Sequence, residues 1–248
     1  MLINVIIFLL SVIPSVLIFV WLRNRHADSI LYKKSCRYAL VGGAVSVLPI
    51  LLLSAILFIV NAALKLTLLK DANVLIYQAI YKFIVLAFAE EIVKFITLKI
   101  VLKKSQYPYS WVDVTALMVI IGTVFGLMED VPYAIGATPA QMLVRGFTMG
   151  HVGYGFIMGW FYGKRLYTVK KRYGVIAVLL PWLIHGLYDF SLTPELVEFN
   201  DNFMFLALLL AALDVVLLIL MIRFFIKARK KDFYNEPAPL CEKTQTVF

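Results

Sequence analysis

A few ionisable residues stand in stretches of this chain that are otherwise apolar. Glu90 and Glu91 are adjacent, and Lys94 follows Glu90 at i, i+4; Phe125 and Glu129 share that spacing, as do His185 and Asp189. Residues four apart on a helix share a face, so Glu90 can pair with Lys94 and His185 with Asp189. His151 closes the run R-G-F-T-M-G-H that begins at Arg145. Paired carboxylates with two histidines can do hydrolytic chemistry. A carboxylate can take a proton from water, and a histidine can help hold that water or polarise a carbonyl. One glutamate and two histidines with an open position also make a catalytic zinc set. No H-E-x-x-H occurs, so a metal site would have to assemble from distant parts of the chain.

The elements that must position these groups are membrane helices. Of the 248 residues, 62% are hydrophobic and only 16% are charged, and the mean hydropathy is +0.88. A soluble domain is about half apolar and about a quarter charged, so this chain has too little polar surface to cover a globule in water. A secreted enzyme, a disordered protein and a soluble nucleic-acid binder are excluded on that ground. Spans of about 20 apolar residues are predicted at roughly Leu2–Leu22, Ala39–Leu64, Leu75–Leu98, Trp111–Ile135, Gly146–Tyr162, Gly174–Leu192 and Phe203–Ile226. The first has no positive segment before it and no small-residue cleavage site after it, so it reads as an uncleaved anchor.

The net charge is +9, and 19 of the 24 Lys and Arg residues fall in alternate loops and the tail. The opposite side holds Lys65, Lys70 and Arg145, and its last loop is purely acidic. Basic residues collect on the cytoplasmic side. The expected fold is therefore an all-α, multi-pass bundle of seven spans in the cell membrane, with the N-terminus outside and the C-terminus in the cytoplasm. Residues 1–229 form the membrane domain, with the motif-bearing core at about 75–195, and residues 230–248 a polar, disordered cytoplasmic tail. The bilayer is the partner the basic loops imply, not nucleic acid. Cys36 and Cys241 then face the reducing cytoplasm, where no disulfide is expected, and neither is placed for nucleophilic catalysis within a span.

Intramembrane charges cost about 2.5–3.5 kcal/mol each on insertion scales, and this chain carries many. Structural ion pairs explain Glu90 and Lys94 well enough, but not two histidines and two adjacent glutamates together. Counting about 1.5 Å per residue from the cytoplasmic ends, Glu90 lies roughly 14–20 Å deep, His151 roughly 20 Å and His185 roughly 17 Å. Glu129 and Asp189 come out nearer the outer face. Three helices thus bring groups to one plane, which predicts a single polar cavity. Gly155, Gly159 and Gly163 continue the stripe that begins at His151, and Gly122 and Gly126 stand on the preceding span. Small residues so spaced allow close helix packing, which would hold His151 against a neighbour. His26 stands in a basic loop and is expected to be solvated.

The motifs resemble those of a known family. E-E-I-V-K at Glu90–Lys94 resembles the E-E-x-x-K of the PrsW family of intramembrane proteases, and F-G-L-M-E at Phe125–Glu129 its F-x-x-x-E. Arg145–His151, followed by Gly159, resembles its third motif, and H-G-L-Y-D at His185–Asp189 its H-x-x-x-D. All four occur in family order, each on its own span, over about 100 residues. The resemblance implies a protease that cleaves single-span membrane proteins, in Gram-positive bacteria an anti-sigma factor whose loss releases a stress sigma factor. It is similar more widely to the type II CAAX-protease superfamily, which includes a non-catalytic scaffold relative.

For the residues, this reading implies Glu90 or Glu91 as general base with His151 as its partner on the water. His185 would polarise the carbonyl or hold the oxyanion, and Asp189 would orient His185 or bind substrate backbone. Lys94 would offset one of the two glutamates. Glu129 joins the catalytic set, with Arg145 in support. The metal-free glutamate route is the first reading and requires no cofactor; zinc on Glu90, His151 and His185 is the alternative. Asp214 belongs to no motif and is expected to pair with Lys82 or Lys94 or to stand protonated. A proton-coupled transporter or channel would use similar groups, but the halves show no repeat and no clearly broken pair of helices. A catalytically idle scaffold fits intact motifs poorly.

Overall fold

The computed structural model describes residues 2–67, 74–105, 107–133, 138–229 and 235–238. Among these residues the chain is helical, and its only strand-like pairing is an isolated bridge between Ser110 and Pro237. The helices are α1 (Leu2–Arg23), α2 (Ile30–Val45), α3 (Val47–Thr67), α4 (Val74–Ala79), α5 (Phe88–Ser105), α6 (Trp111–Tyr133), α7 (Pro139–Thr148), α8 (Gly150–Thr168), α9 (Lys171–Ser191), α10 (Pro194–Phe199) and α11 (Asn202–Ala228). A π-helical stretch, Ile80–Ala87, joins α4 to α5. Four segments among the described residues are long and apolar enough to cross a membrane: Ile30–Leu53, Trp111–Pro132, Lys171–Ser191 and Asn202–Ala228.

The centre of the bundle is α6. Its residues Val112–Ile121 are all buried, as expected of a helix that is apolar on every side. Helix α8 lies against it along the predicted glycine stripe. A Cβ on Gly155 would meet the Met118 carbonyl oxygen at 2.9 Å, and one on Gly159 the Thr115 Cα at 2.8 Å. From the α6 side, a Cβ on Gly122 would come within 2.3 Å of the His151 carbonyl oxygen. Only glycine permits backbones this close, and the approach presses the first turn of α8 against α6.

Three expected spans take a different form. The second begins earlier, at Ile30, where Ser29 caps α2 by accepting from the Tyr32 amide. It then breaks at Ser46, because Pro49 lacks an amide proton and its ring opposes the Val45 carbonyl. The third runs on to Ser105 and carries the π-helical stretch. The wide turn exposes the Phe83 carbonyl, which accepts from Trp182 Nε1 of α9 at 2.6 Å. The fifth is two helices. Thr138 and Gln141 build a capping box for α7, with Pro139 at its first position, and Met149 at φ 50° separates α7 from α8. A left-handed non-glycine residue costs about 1–2 kcal/mol, so the break must be held by its surroundings. Broken helices are therefore present, contrary to the expectation.

The first loop and the tail also form contacts. His26 is not simply solvated: its Nε2 lies 2.9 Å from Asp113 Oδ1, which also takes Arg25 Nε at 3.2 Å. Residues 235–238 of the tail pack against the bundle. The Ala238 amide donates to the Tyr109 carbonyl at 2.8 Å, Asn235 bonds the Ala228 carbonyl and Arg25, and Ala238 is buried. Cys36 is buried as a free thiol, while Cys241 lies outside the described residues.

Candidate active site

Each motif arrives on its own helix, and one buried cluster receives them all. The π-helical stretch sets the rotation of α5, so that Glu90, Glu91 and Lys94 all point inward and are buried. Helix α9 comes close because Gly186 faces the Phe83 ring, where a Cβ would sit 2.6 Å from Cδ1. That contact delivers His185, the preceding residue. Lys94 Nζ donates to Glu91 Oε1 at 2.6 Å and lies 3.9 Å from Glu90 Oε2. The expected i, i+4 pair with Glu90 is present at 3.9 Å, and the closer, hydrogen-bonded partner of Lys94 is Glu91 at i, i+3.

Glu91 has a second partner. Its Oε1 accepts from His185 Nδ1 at 2.9 Å, which leaves His185 Nε2 bare toward the interior. That nitrogen lies 3.6 Å from Asp189 Oδ2 and 3.9 Å from Glu90 Oε2. The orienting carboxylate of His185 is thus Glu91, 94 positions away, while Asp189 stands too far for a direct hydrogen bond. Tyr154 stacks on the His185 ring at 5.1 Å and 24°. Tyr154 was not singled out from the sequence, although its i, i+3 spacing from His151 puts it on the same face of α8.

His151 is held from both sides. Lys94 Nζ donates to its Nδ1 at 3.0 Å, and its Nε2 donates to Glu129 Oε2 at 2.6 Å. Arg145 fixes that glutamate, with Nη2 3.0 Å from Glu129 Oε2 and Nε 2.7 Å from Asp130 Oδ1. The break at Met149 is what allows this, since it turns the end of α7 and the start of α8 toward the same carboxylate. Phe125 lies beneath, 4.4 Å from Lys94 Nζ to the ring centre and 5.1 Å from the His151 ring. The two histidine rings are 5.1 Å apart and almost perpendicular.

Two cavities meet at this cluster. A polar chamber of about 60 Å³ is lined by Glu129, His151, Tyr154, His185, Asp189 and Asp214. A larger cavity of about 660 Å³ is lined mainly by apolar side chains such as Leu48, Leu51, Leu86 and Met128, with Glu90 and Lys82 among them. Glu129, Arg145, Tyr188 and Asp189 border both. Asp214 pairs with neither Lys82 nor Lys94 among the described residues; it faces the chamber, with Oδ1 buried and unbonded.

The donor types are those of a catalytic zinc site. Glu90, His151 and His185 each offer a ligand atom, and the three atoms lie within 4.8 Å of one another. Glu90 Oε2 is buried with no hydrogen-bond partner among the described residues. The Nδ1 of His185 donates to a carboxylate, as the second nitrogen of a metal-bound histidine usually does. His151 is the constrained member, because both its nitrogens are already engaged.

Comparison with known proteins gives the family of the chain. The chain is 26% identical to Protease PrsW of Clostridioides difficile (strain 630) over 206 residues, covering 76% of this chain and 79% of the relative. It is 28% identical to Protease PrsW of Shouchella clausii (strain KSM-K16) over 150 residues, 55% of this chain and 68% of the relative. With Protease PrsW of Bacillus subtilis (strain 168) it shares 32% identity over 117 residues, 43% of this chain and 51% of that protein. No solved structure matches the chain. These relatives favour neither a transporter nor a scaffold, and the chain is an intramembrane protease of the cell membrane, acting on a membrane protein. The family model described as PrsW family intramembrane metalloprotease matches residues 34–226, from α2 to the end of α11, and with it this chain belongs to the PrsW family.

Proposed function

We propose that this chain cleaves a single-span membrane protein, an anti-sigma factor in stress signalling, by attack of a water activated at Glu90. The observation that carries the reading is the bare, buried Oε2 of Glu90 facing the bare Nε2 of His185 across 3.9 Å. Water held between them loses a proton to Glu90, and His185, as an imidazolium whose Nδ1–H is held by Glu91, donates its Nε2–H to the oxyanion that forms on the scissile carbonyl. Glu91 and Lys94 do not touch the water. Glu91 fixes the proton on His185 Nδ1, and Lys94 neutralises Glu91 and orients His151. Glu129, with Arg145, sets the His151 ring from the other side. Asp189, on the border of both cavities, binds substrate backbone. Where zinc is bound, Glu90, His151 and His185 hold it, and it supplies a water acidic enough to ionise near neutral pH.

The orientation we infer has seven spans, the N-terminus outside and the C-terminus in the cytoplasm, on the strength of the basic bias in alternate loops. In the test, a tagged single-span anti-sigma factor is co-expressed with the wild-type chain or with Glu90→Gln. Cleavage by the wild type alone is the expected result. Equal cleavage by both, per folded molecule, removes Glu90 from the chemistry.

A further inference from the structure

Hydrolysis inside a bilayer needs a supply of water, and one buried acid outside the four motifs faces the place where water can stand. Asp214 is on α11, is 1% exposed, and its Oδ1 has no hydrogen-bond partner among the described residues. The Tyr154 hydroxyl is likewise buried and unbonded there. Both groups turn toward Gly150: a Cβ on that residue would lie 3.1 Å from Asp214 Oδ2 and 3.2 Å from the Tyr154 oxygen. With glycine in that position, the space between the two oxygens stays open. The chamber they line, about 60 Å³, exceeds the ~10–15 Å³ a single water requires. A water also needs two to four polar partners, and Asp214, Tyr154, His185 and Asp189 all border the chamber. Buried polar atoms are normally paired with protein or ordered water, and these two have no protein partner among the described residues.

We propose that Asp214, with the Tyr154 hydroxyl, holds water in this chamber and so positions the supply drawn on at Glu90 and His185. The proposal rests on the proposed reaction for its purpose but not for its test. The chamber reaches the end of the cluster at Glu129, Asp130 and Arg145, whose side chains are partly exposed. Water would enter there and reach the histidines without crossing the apolar cavity. Asp214 is a positioning residue in this scheme: it accepts hydrogen bonds from water and passes no proton to substrate.

The test reads water directly, in the full chain purified in detergent. Brief X-ray pulses generate hydroxyl radicals from bound water, and mass spectrometry locates the oxidised side chains. Met149 and Tyr154 both line the chamber and are only 7% and 2% exposed. We expect both to be oxidised in the wild type despite this burial. Asp214→Leu should lower oxidation at both several-fold, while Asp214→Asn, which still bonds water, should keep it. Tyr154→Phe should lower oxidation at Met149, and it serves if the leucine variant does not fold. With the substrate from the co-expression assay, Asp214→Leu should reduce kcat and leave KM unchanged, and Asp214→Asn should restore most of the rate. Unlabelled Met149 and Tyr154 in the wild type would overturn the proposal, as would unchanged labelling in the leucine and phenylalanine variants. An Asp214→Asn variant as inactive as Glu90→Gln but still labelled would also sink it, by pointing to proton transfer. Labelling needs no substrate, so a dry chamber defeats this inference alone, whereas cleavage by Glu90→Gln defeats the proposed reaction alone.

Discussion

Oε1 of Glu91 lies 2.9 Å from Nδ1 of His185, a contact between α5 and α9 across 94 positions of sequence. The same oxygen receives Lys94 Nζ at 2.6 Å. Oε1 of Glu91 is thus engaged twice, and although Oε2 of each glutamate is buried and unbonded among the described residues, that of Glu90 lies 3.9 Å from His185 Nε2. Two adjacent glutamates of identical chemistry thus differ in the partners their neighbours give them.

Glutamine variants should separate their roles. Glu90→Gln keeps size and packing but removes the proton acceptor, so cleavage should fall on the order of 10²–10⁴-fold with thermal stability nearly unchanged. Glu91→Gln takes from buried Lys94 its hydrogen-bonded counter-charge and leaves only Glu90 at 3.9 Å, and breaking such a buried pair costs up to about 3–5 kcal/mol. A clear drop in Tm is expected for Glu91→Gln, measured by melting in detergent. Equal Tm values for the two variants would contradict the division.

Metal content should discriminate between the two routes to an activated water. If zinc is resident, the purified chain should carry about one equivalent by elemental analysis, and His185→Ala and His151→Ala should each lose it. A chelator should then abolish cleavage, and added zinc should restore it. Full activity in metal-free protein would leave the glutamate route standing by itself.

Close packing of α6 on α8 makes a sharper demand than stability alone. Gly122→Ala would set a methyl 2.3 Å from the His151 carbonyl oxygen, so the helices must separate. Overpacking of this kind costs about 1–3 kcal/mol, and displacement of His151 should lower cleavage beyond the loss of folded protein. Gly174→Ala is the control. Its nearest neighbour would be the flexible Arg165 side chain at 3.6 Å, and alanine in a helix interior is better by about 0.5–1 kcal/mol. Cleavage per folded molecule should fall for the first variant and hold for the second.

Topology can be read with fusions. A reporter placed after Lys171 or at the tail should report cytoplasm, and one at Glu198 should report the exterior, following the basic bias. An external C-terminus would reverse the orientation and place the mouth of the polar chamber on the cytoplasmic side.

Membrane residence, the helical class and the four motifs were legible in the sequence because each is a local property. Composition fixes which solvent the chain can tolerate, and spacing fixes which residues share a helix face. The glycines from Gly122 to Gly163 announced the α6–α8 contact for the same reason, since the absence of a side chain is visible without knowing the partner. The choice between Glu90 and Glu91 as the partner of Lys94 was not legible: i, i+3 and i, i+4 are equally close on a helix. It was decided by the placement of His185 and Phe125, and by the π-helical turn that rotates α5. Nor did the sequence show the break at Met149, where a non-glycine residue adopts φ 50° and the flanking helices hold it. The pairs Glu129–His151 and Glu91–His185 join residues 22 and 94 positions apart. Asp214 gave no sign of facing their cavity, because no periodicity within α11 specifies which neighbour covers it. Such relations depend on how separate helices rotate and approach, and only the packed bundle determines them.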